Sequence, residues 1–359
     1  KNRKPFFMGI GFIRPHTPLI VPQRFFDMFP VEEISLPAIL DGDIDDTFAK
    51  TIRGLPEGKE PDSERTEDMG GKLFRKLVES YDSRDEALRH FIQAYLASIA
   101  SVDEQVGRVL DVIDSTELKD NTIIVLTSDH GWGMGEKDYL YKNSLWQEST
   151  RIPLIVRAPG IAPADTICSQ PVSLVDIYPT LSDLCDLEGD TMKNEKGRPL
   201  DGHSFRPLLE DPAHGTWTGP DEALTALYKW RMKYNPHEES YSLRSKDWRY
   251  IRYENGKEEL YNTASDPNEW KNLATEAQHS YEVNRLRQVL ASRLPKKGVV
   301  PPQPQWKAPG KPEPKSNDYW KNLYFKKNPD ADADKDGILS WPEFHTHKKT
   351  AETAAQSTN

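Results

Sequence analysis

The chain has 359 residues, 36% of them hydrophobic and 29% charged, a make-up that supports a large core and more than one domain. Its net charge of −10 argues against non-specific attraction to nucleic acid or anionic lipid, so a polyanionic substrate needs a local basic pocket. No run approaches the roughly 20 apolar residues that span a bilayer, so no transmembrane segment is expected. The chain opens KNRKPFFMGIGF, without an initiator Met or the charged-then-apolar pattern of a secretory signal, and reads as a piece whose N-terminus lies upstream.

In chain order, PFFMGIGF (Pro5 to Phe12), TIIVL (Thr122 to Leu126) and PLIVRAP (Pro153 to Pro159) are short apolar runs of the kind covered on both faces. They predict an α/β fold with a mostly parallel central sheet sandwiched by helices. Between the first two, Leu88, Phe91, Ile92, Tyr95, Ile99, Val102, Val106, Val109, Leu110 and Ile113 follow helical spacing, with Asp85 in the first turn. The stretch from Pro30 to about Gly71, rich in Pro, Gly and acids, reads as a surface excursion. Cys168 and Cys185 do not make a disulfide scaffold; their spacing permits a bridge without requiring one, and two unpaired buried thiols fit equally.

After about residue 215, YSLRSKDWRYIRYENGKEELYNT alternates as strands do, and ENGK carries the Asn-Gly hairpin signal. A helix over Ser280 to Leu294 should follow this small antiparallel sheet. From Pro301 to Pro314 six prolines fall within 14 residues, a semi-rigid linker. The expected division is 1–215 (the C-terminal part of an α/β domain), 216–300 (antiparallel sheet plus helix), 301–316 (linker) and 317–359 (a calcium module).

The last segment holds DADADKDGILSWPEF. Asp332, Asp334, Asp336, Gly337 and Glu343 fall at positions 1, 3, 5, 6 and 12 of the twelve-residue EF-hand loop, with Ile338 offering its carbonyl and Ser340 at position 9. Hard oxygen donors at this spacing imply a bound Ca2+. A single hand has no partner to open against, which points to a structural role.

Asp129 and His130 directly follow TIIVLTS, just beyond a strand's carboxyl end, where a carboxylate and a neutral imidazole can share a divalent cation. Gly131, Gly133 and Gly135 should let the backbone turn away without crowding an ion. As a bare pair the two residues fit a turn cap and a loop histidine equally well.

The block SDHGWGMGEKDYLYKNSLWQESTRIPLIVRAPG resembles the second signature of the sulfatase family, in the alkaline-phosphatase-like superfamily. PFFMGIGFIRPHTP, the helix YLASIASVDEQVGRVLDVID and SQPVSLVDIYPTLSDLCDL are similar to further family segments, so the resemblance covers roughly Lys1 to Ala274. GFIRPHTP with SDHGW is most similar to the iduronate-2-sulfatase branch. The resemblance implies Asp129 and His130 as ligands of an active-site Ca2+, although many sulfatases have Asn at the second position. It implies Lys142 and His16 as catalytic residues contacting the sulfate and the leaving-group oxygen, and Trp132 as a substrate-pocket aromatic. Arg14 is a candidate contact for a second anionic group.

Sulfatases use a Cys or Ser in Cys/Ser-x-Pro-x-Arg, oxidised to formylglycine. Neither Cys168 nor Cys185 begins that motif, the paired Asp ligands expected upstream are missing, and Asp43 to Asp46 do not follow a strand. Formylglycine is therefore expected upstream, in a missing N-terminal part of the same protein. The favoured function is hydrolysis of a sulfate ester on a sulfated carbohydrate in the periplasm or outside the cell, with this piece inactive alone. The alternatives are a phosphodiesterase or phosphatase of the same superfamily, and a non-catalytic calcium-dependent carbohydrate-binding protein.

Overall fold

The helix Arg84–Asp114 is the longest element, and its start follows from local chemistry. Ser83, in extended backbone, accepts a hydrogen bond from the Glu86 amide at 3.2 Å, and Asp85 and Glu86 place negative charge in the first turn. Leu88 and Ile92 on its inner face pack with Phe74 of the helix Met69–Val78, with Ile34 and with Leu140. The computed structural model describes residues 4–47, 69–187, 189, 199–228, 235–296, 321, 324–335 and 339–356. The Pro-rich segment 301–316 lies outside them, as do Asp336, Gly337 and Ile338. The chain divides into two compact units, Lys1–Gly298 and Val299–Asn359.

Three expectations need correction. The stretch after Pro30 is not wholly a surface excursion, because Ile34 and Asp43 are each only 5% exposed. Nor is a parallel sheet found among the described residues. Strand β1 (Ile124–Thr127) pairs with β2 (Leu154–Arg157) in antiparallel register, Ile124 opposite Arg157 and Thr127 opposite Leu154. Parallel pairing needs a crossover, whereas residues 128–153 double back as a folded strap. Pro5 to Phe12 is not a strand either; among the described residues nothing pairs with its backbone, and Phe7, Met8 and Ile13 are exposed.

The four-stranded sheet forms as expected, with one strand more than the alternating pattern marked. Its order is β3 (Ala223–Leu227), β4 (Ser240–Arg244), β5 (Trp248–Arg252) and β6 (Glu258–Asn262), all antiparallel. Gly256, at φ +79°, makes the β5–β6 turn, and the Tyr253 amide donates to the Lys257 carbonyl at 2.9 Å. Both faces are covered. Tyr241, Leu243, Tyr250 and Leu260 bury one face against Val283, Leu286 and Leu290 of the helix Ser280–Arg293. On the other face Ile251 and Tyr261, joined by Tyr253, meet Tyr139, Leu145 and Trp146 of the strap.

Charged groups are buried where the strap meets this sheet. Lys137 is 2% exposed, and its Nζ donates to Asp43 Oδ1 at 2.7 Å and to the Glu269 carbonyl at 2.5 Å. Arg249 donates to the Glu269 carboxylate. Glu259 accepts from Trp146, Tyr253 and Tyr261, each at 2.9 Å. Burial also encloses Glu148 and, helped by the charges of Glu269 and Glu136, pushes its carboxyl up to about 7.

In the second unit, Ala331 and Leu339 are buried and Tyr324 packs edge-on against Phe344 of the helix Trp341–Gln356 at 4.9 Å. Among the described residues no helix is long and apolar enough to cross a membrane.

Glu148 makes stability pH-dependent in a defined direction. Between its ordinary value and about 7 the folded chain holds a proton that the unfolded chain releases, so stability falls as pH rises through that window. Allowing for partial exposure, the loss is roughly 2 kcal/mol. Denaturant unfolding at pH 5 and pH 8 should show Glu148→Gln flattening this fall and gaining about that amount at pH 8. An unchanged pH dependence in the variant removes Glu148 as its cause.

Candidate functional site

Strand β1 ends at Thr127 and delivers the next eight residues to one edge of the strap. The amides of Gly131, Gly133 and Gly135 donate to the carbonyls of Ser149, Tyr141 and Tyr139 at 2.9, 2.9 and 3.0 Å. This alternate-residue ladder locks the Asp129–His130 segment to the one bearing Lys142. It also corrects the expected role of the glycines. A Cβ on Gly131 would lie 2.0 Å from the Glu148 carbonyl oxygen, and Gly135 adopts φ +109° with Leu88 2.9 Å from any Cβ. They serve close backbone approach rather than clearance around an ion.

His130 Nδ1 lies 2.9 Å from the Gly131 carbonyl, which can only accept, so the ring proton sits on Nδ1. In the neutral ring Nε2 is then a bare lone pair, 3.6 Å from Asp129 Oδ2. Two lone-pair donors facing each other with no proton between them repel, and a cation placed between them removes the repulsion. The Asp129 carboxylate is 84% exposed, so a ligand can reach it.

His16 sits on the turn after the apolar N-terminal run. Its Nδ1 donates to the Thr17 carbonyl at 2.7 Å, and its bare Nε2 accepts from Lys142 Nζ at 2.8 Å. The His16 ring lies 6.4 Å from that of His130 and 6.5 Å from Trp132, centroid to centroid. The structure thus gathers His16, Lys142, His130 and Trp132, with Asp129 beside His130. Arg14 is turned differently: Nε donates to the Ile20 carbonyl and Nη1 to the His16 carbonyl, both at 3.2 Å, so much of its guanidinium braces its own loop.

Tyr141 was not marked by sequence reasoning, yet it packs edge-on against Trp132 at 5.4 Å and supplies a ladder carbonyl. Its place between an apolar residue and a lysine gave no chemical signal. The Trp132 indole N–H is buried and has no hydrogen-bond partner among the described residues. Cys168 and Cys185 are unbridged and exposed rather than buried.

In the second unit, one oxygen each from Asp332, Asp334 and Glu343 lie within 4.8 Å of one another, the one such acidic group of three or more found among the described residues. Glu343 accepts from the Ser340 hydroxyl at 2.6 Å and from the Ser340 and Ala333 amides at 2.9 Å, which holds its carboxyl down at about 2. Asp336 and Ile338 lie outside the described residues.

The sulfatase family model matches residues 1–187, and the model described as N-sulphoglucosamine sulphohydrolase, C-terminal, matches residues 135–296. A sulfatase of Formosa agariphila is 34% identical over 293 residues, covering 81% of this chain and 50% of that protein. An N-acetylglucosamine-6-O-sulfatase of Bacteroides thetaiotaomicron is 31% identical over 208 residues, 56% of this chain and 35% of that protein. The chain spans about half the length of the curated relatives it matches. Among solved structures, BT4656 in complex with its substrate D-glucosamine-2-N,6-O-disulfate superposes with a TM-score of 0.53 at 27% identity, covering 62% of this chain and 44% of that one. The phosphonate monoester hydrolase of Agrobacterium radiobacter shares the fold, with a TM-score of 0.60 at 23% identity over 81% of this chain and 57% of its own. Since the sulfatase model matches more than half of its residues, the chain belongs to the sulfatase family.

Proposed function

We propose that this chain forms part of an enzyme that hydrolyses a sulfate ester on a sulfated carbohydrate. The observation that carries the reading is the 2.8 Å contact between Lys142 Nζ and His16 Nε2, two residues 126 positions apart, on the side where Asp129 and His130 face each other. Lys142 offers a positive charge to an anionic sulfuryl group. With such a group between the two side chains, His16 takes a proton from solvent water onto Nε2 and then gives it to the leaving alkoxide oxygen. Trp132 presents a flat ring to a sugar, and the free edge of Arg14 suits a second anionic substituent.

Asp129 and His130 would hold the metal, expected to be Ca2+, and their opposed lone pairs fit that task. When bound, the ion supplies Lewis-acid stabilisation of negative charge. The formylglycine nucleophile belongs outside this chain, in an N-terminal part of the same protein, and the sulfated substrates of the relatives fit a periplasmic or extracellular setting.

The gene product that includes a Cys/Ser-x-Pro-x-Arg segment should turn over an aryl sulfate and a sulfated oligosaccharide, while the 359-residue chain alone should not. Lys142→Ala should lower kcat/KM about a hundredfold. His16→Ala should cost far more on the oligosaccharide than on the aryl sulfate, whose leaving group needs no proton. Faster turnover of a phosphonate monoester or phosphodiester than of any sulfate ester would establish the alternative chemistry of the superfamily.

We also propose that Asp332, Asp334, Asp336, the Ile338 carbonyl, Ser340 and Glu343 form an EF-hand Ca2+ site with a structural role. The spacing of the acids and the gathering of Asp332, Asp334 and Glu343 support it. Calorimetric titration of the full chain with Ca2+ should show a binding event that Glu343→Gln weakens at least tenfold and Asp129→Asn leaves intact. No uptake at millimolar Ca2+ would reduce the loop to an acidic turn.

A further inference from the structure

Lys142 must be held with its Nζ on His16, yet it lies in a strap with little regular structure. Five residues before it stands Lys137 and five after it Gln147, and both are tied to one residue of the C-terminal region, Glu269. Lys137 Nζ donates to the Glu269 carbonyl at 2.5 Å, and the Gln147 amide donates to Glu269 Oε2 at 3.0 Å. The other carboxylate oxygen takes Arg249 of β5, whose Nη1 also reaches the Leu145 carbonyl at 3.3 Å. Glu269 itself is fully buried.

The backbone shows the same constraint. Lys137, Asp138 and Glu269 take φ of +53°, +50° and +57°, conformations costly for residues with a Cβ and kept only where surrounding bonds over-determine them. A buried carboxylate–guanidinium pair adds little net stability over an apolar replacement of the same volume, but it fixes geometry in two directions. Between its two anchors the strap runs past Tyr139 and Tyr141, whose carbonyls accept from Gly135 and Gly133. The anchors therefore set the Lys142 segment and the Asp129–His130 segment together.

We propose that Glu269 is a positioning residue for Lys142, through which the C-terminal sheet sets the geometry of the sulfate-binding site; this rests on the sulfate-ester reading above. The role would fall to a residue that never touches substrate.

Two variants test it in the complete enzyme. Glu269→Asn keeps a residue that tolerates the left-handed backbone and keeps the carbonyl that holds Lys137, but removes the carboxylate. It also leaves Arg249 buried without its anion and can fail to fold. Gln147→Pro avoids that hazard. Position 147 is the first residue of the short helix Gln147–Thr150, where proline is tolerated, and Trp146 before it is extended at φ −76°, ψ 168°. This variant deletes the N–H donated to Glu269, and with it the side-chain amide that donates to the Pro267 carbonyl at 3.0 Å two residues from Glu269, and leaves the Arg249 pairing whole. For Gln147→Pro, kcat on a sulfate ester should fall roughly tenfold with KM within about twofold, since misplacement near the reacting atoms is felt mainly in the transition state. Amide hydrogen exchange at Gly133 and Gly135 should quicken while that of Leu243 and Tyr250 in the sheet does not. Combined with Lys142→Ala, Gln147→Pro should cost less than the product of the two separate losses. Losses that multiply, or unchanged exchange at the two glycines, overturn the proposal. If the wild-type enzyme turns over no sulfate ester, the functional reading fails, and the exchange measurement still decides the positioning role.

Discussion

A lysine shut away from water is tolerated only where its charge is cancelled and its hydrogens are accepted, and Lys137 meets that condition with two partners far apart in sequence. Asp43 comes from the segment before the long helix, and Glu269 from the turn after β6. Three regions separated by about a hundred residues or more thus converge on one ammonium group, and the strap has to pass where that group is satisfied. Once it does, Trp146 reaches Glu259, the sheet gains a cover for its second face, and the glycine ladder can close. Losing the Asp43 carboxylate would leave the buried Lys137 charge uncompensated, a far larger penalty than the loss of a surface pair.

His16 and His130 illustrate how a neighbouring carbonyl decides what an imidazole can do. Each holds its proton on Nδ1 against a main-chain oxygen, so each shows a bare Nε2 to the site. His16 faces the Lys142 ammonium. His130 faces the Asp129 carboxylate. Under the proposed function the same tautomer would serve acid–base work in one place and ligation in the other, and the difference lies only in the partner.

The sequence disclosed those features that repeat along it. The three-or-four spacing of Leu88 to Ile113 marked the long helix, Asn255-Gly256 marked the hairpin, and the Asp129-His130 block with Lys142 marked the family. The β1–β2 pairing was not legible, because an apolar run shows that a strand is buried and not which way its neighbour points. Asp43, Lys137 and Glu269 were not legible for a related reason: a charged residue in a polar stretch looks solvated until its partner, 94 or 132 positions away, is known. Arg14 shows the converse limit, since its charge suggested an anion contact while two of its donors brace the loop that carries His16.

The extended run at Phe6 to Ile13 has a consequence for handling the molecule. Phe7 is 86% exposed and Ile13 77%, and among the described residues no backbone hydrogen bond is made by residues 6–12. Unpaired amides flanked by large apolar side chains form an adhesive edge, open to capture by any other extended polypeptide, including a second copy. Chaperones bind segments of this composition, so the yield of soluble material from a producing cell should depend on what covers these eight residues as much as on the stability of the domain behind them.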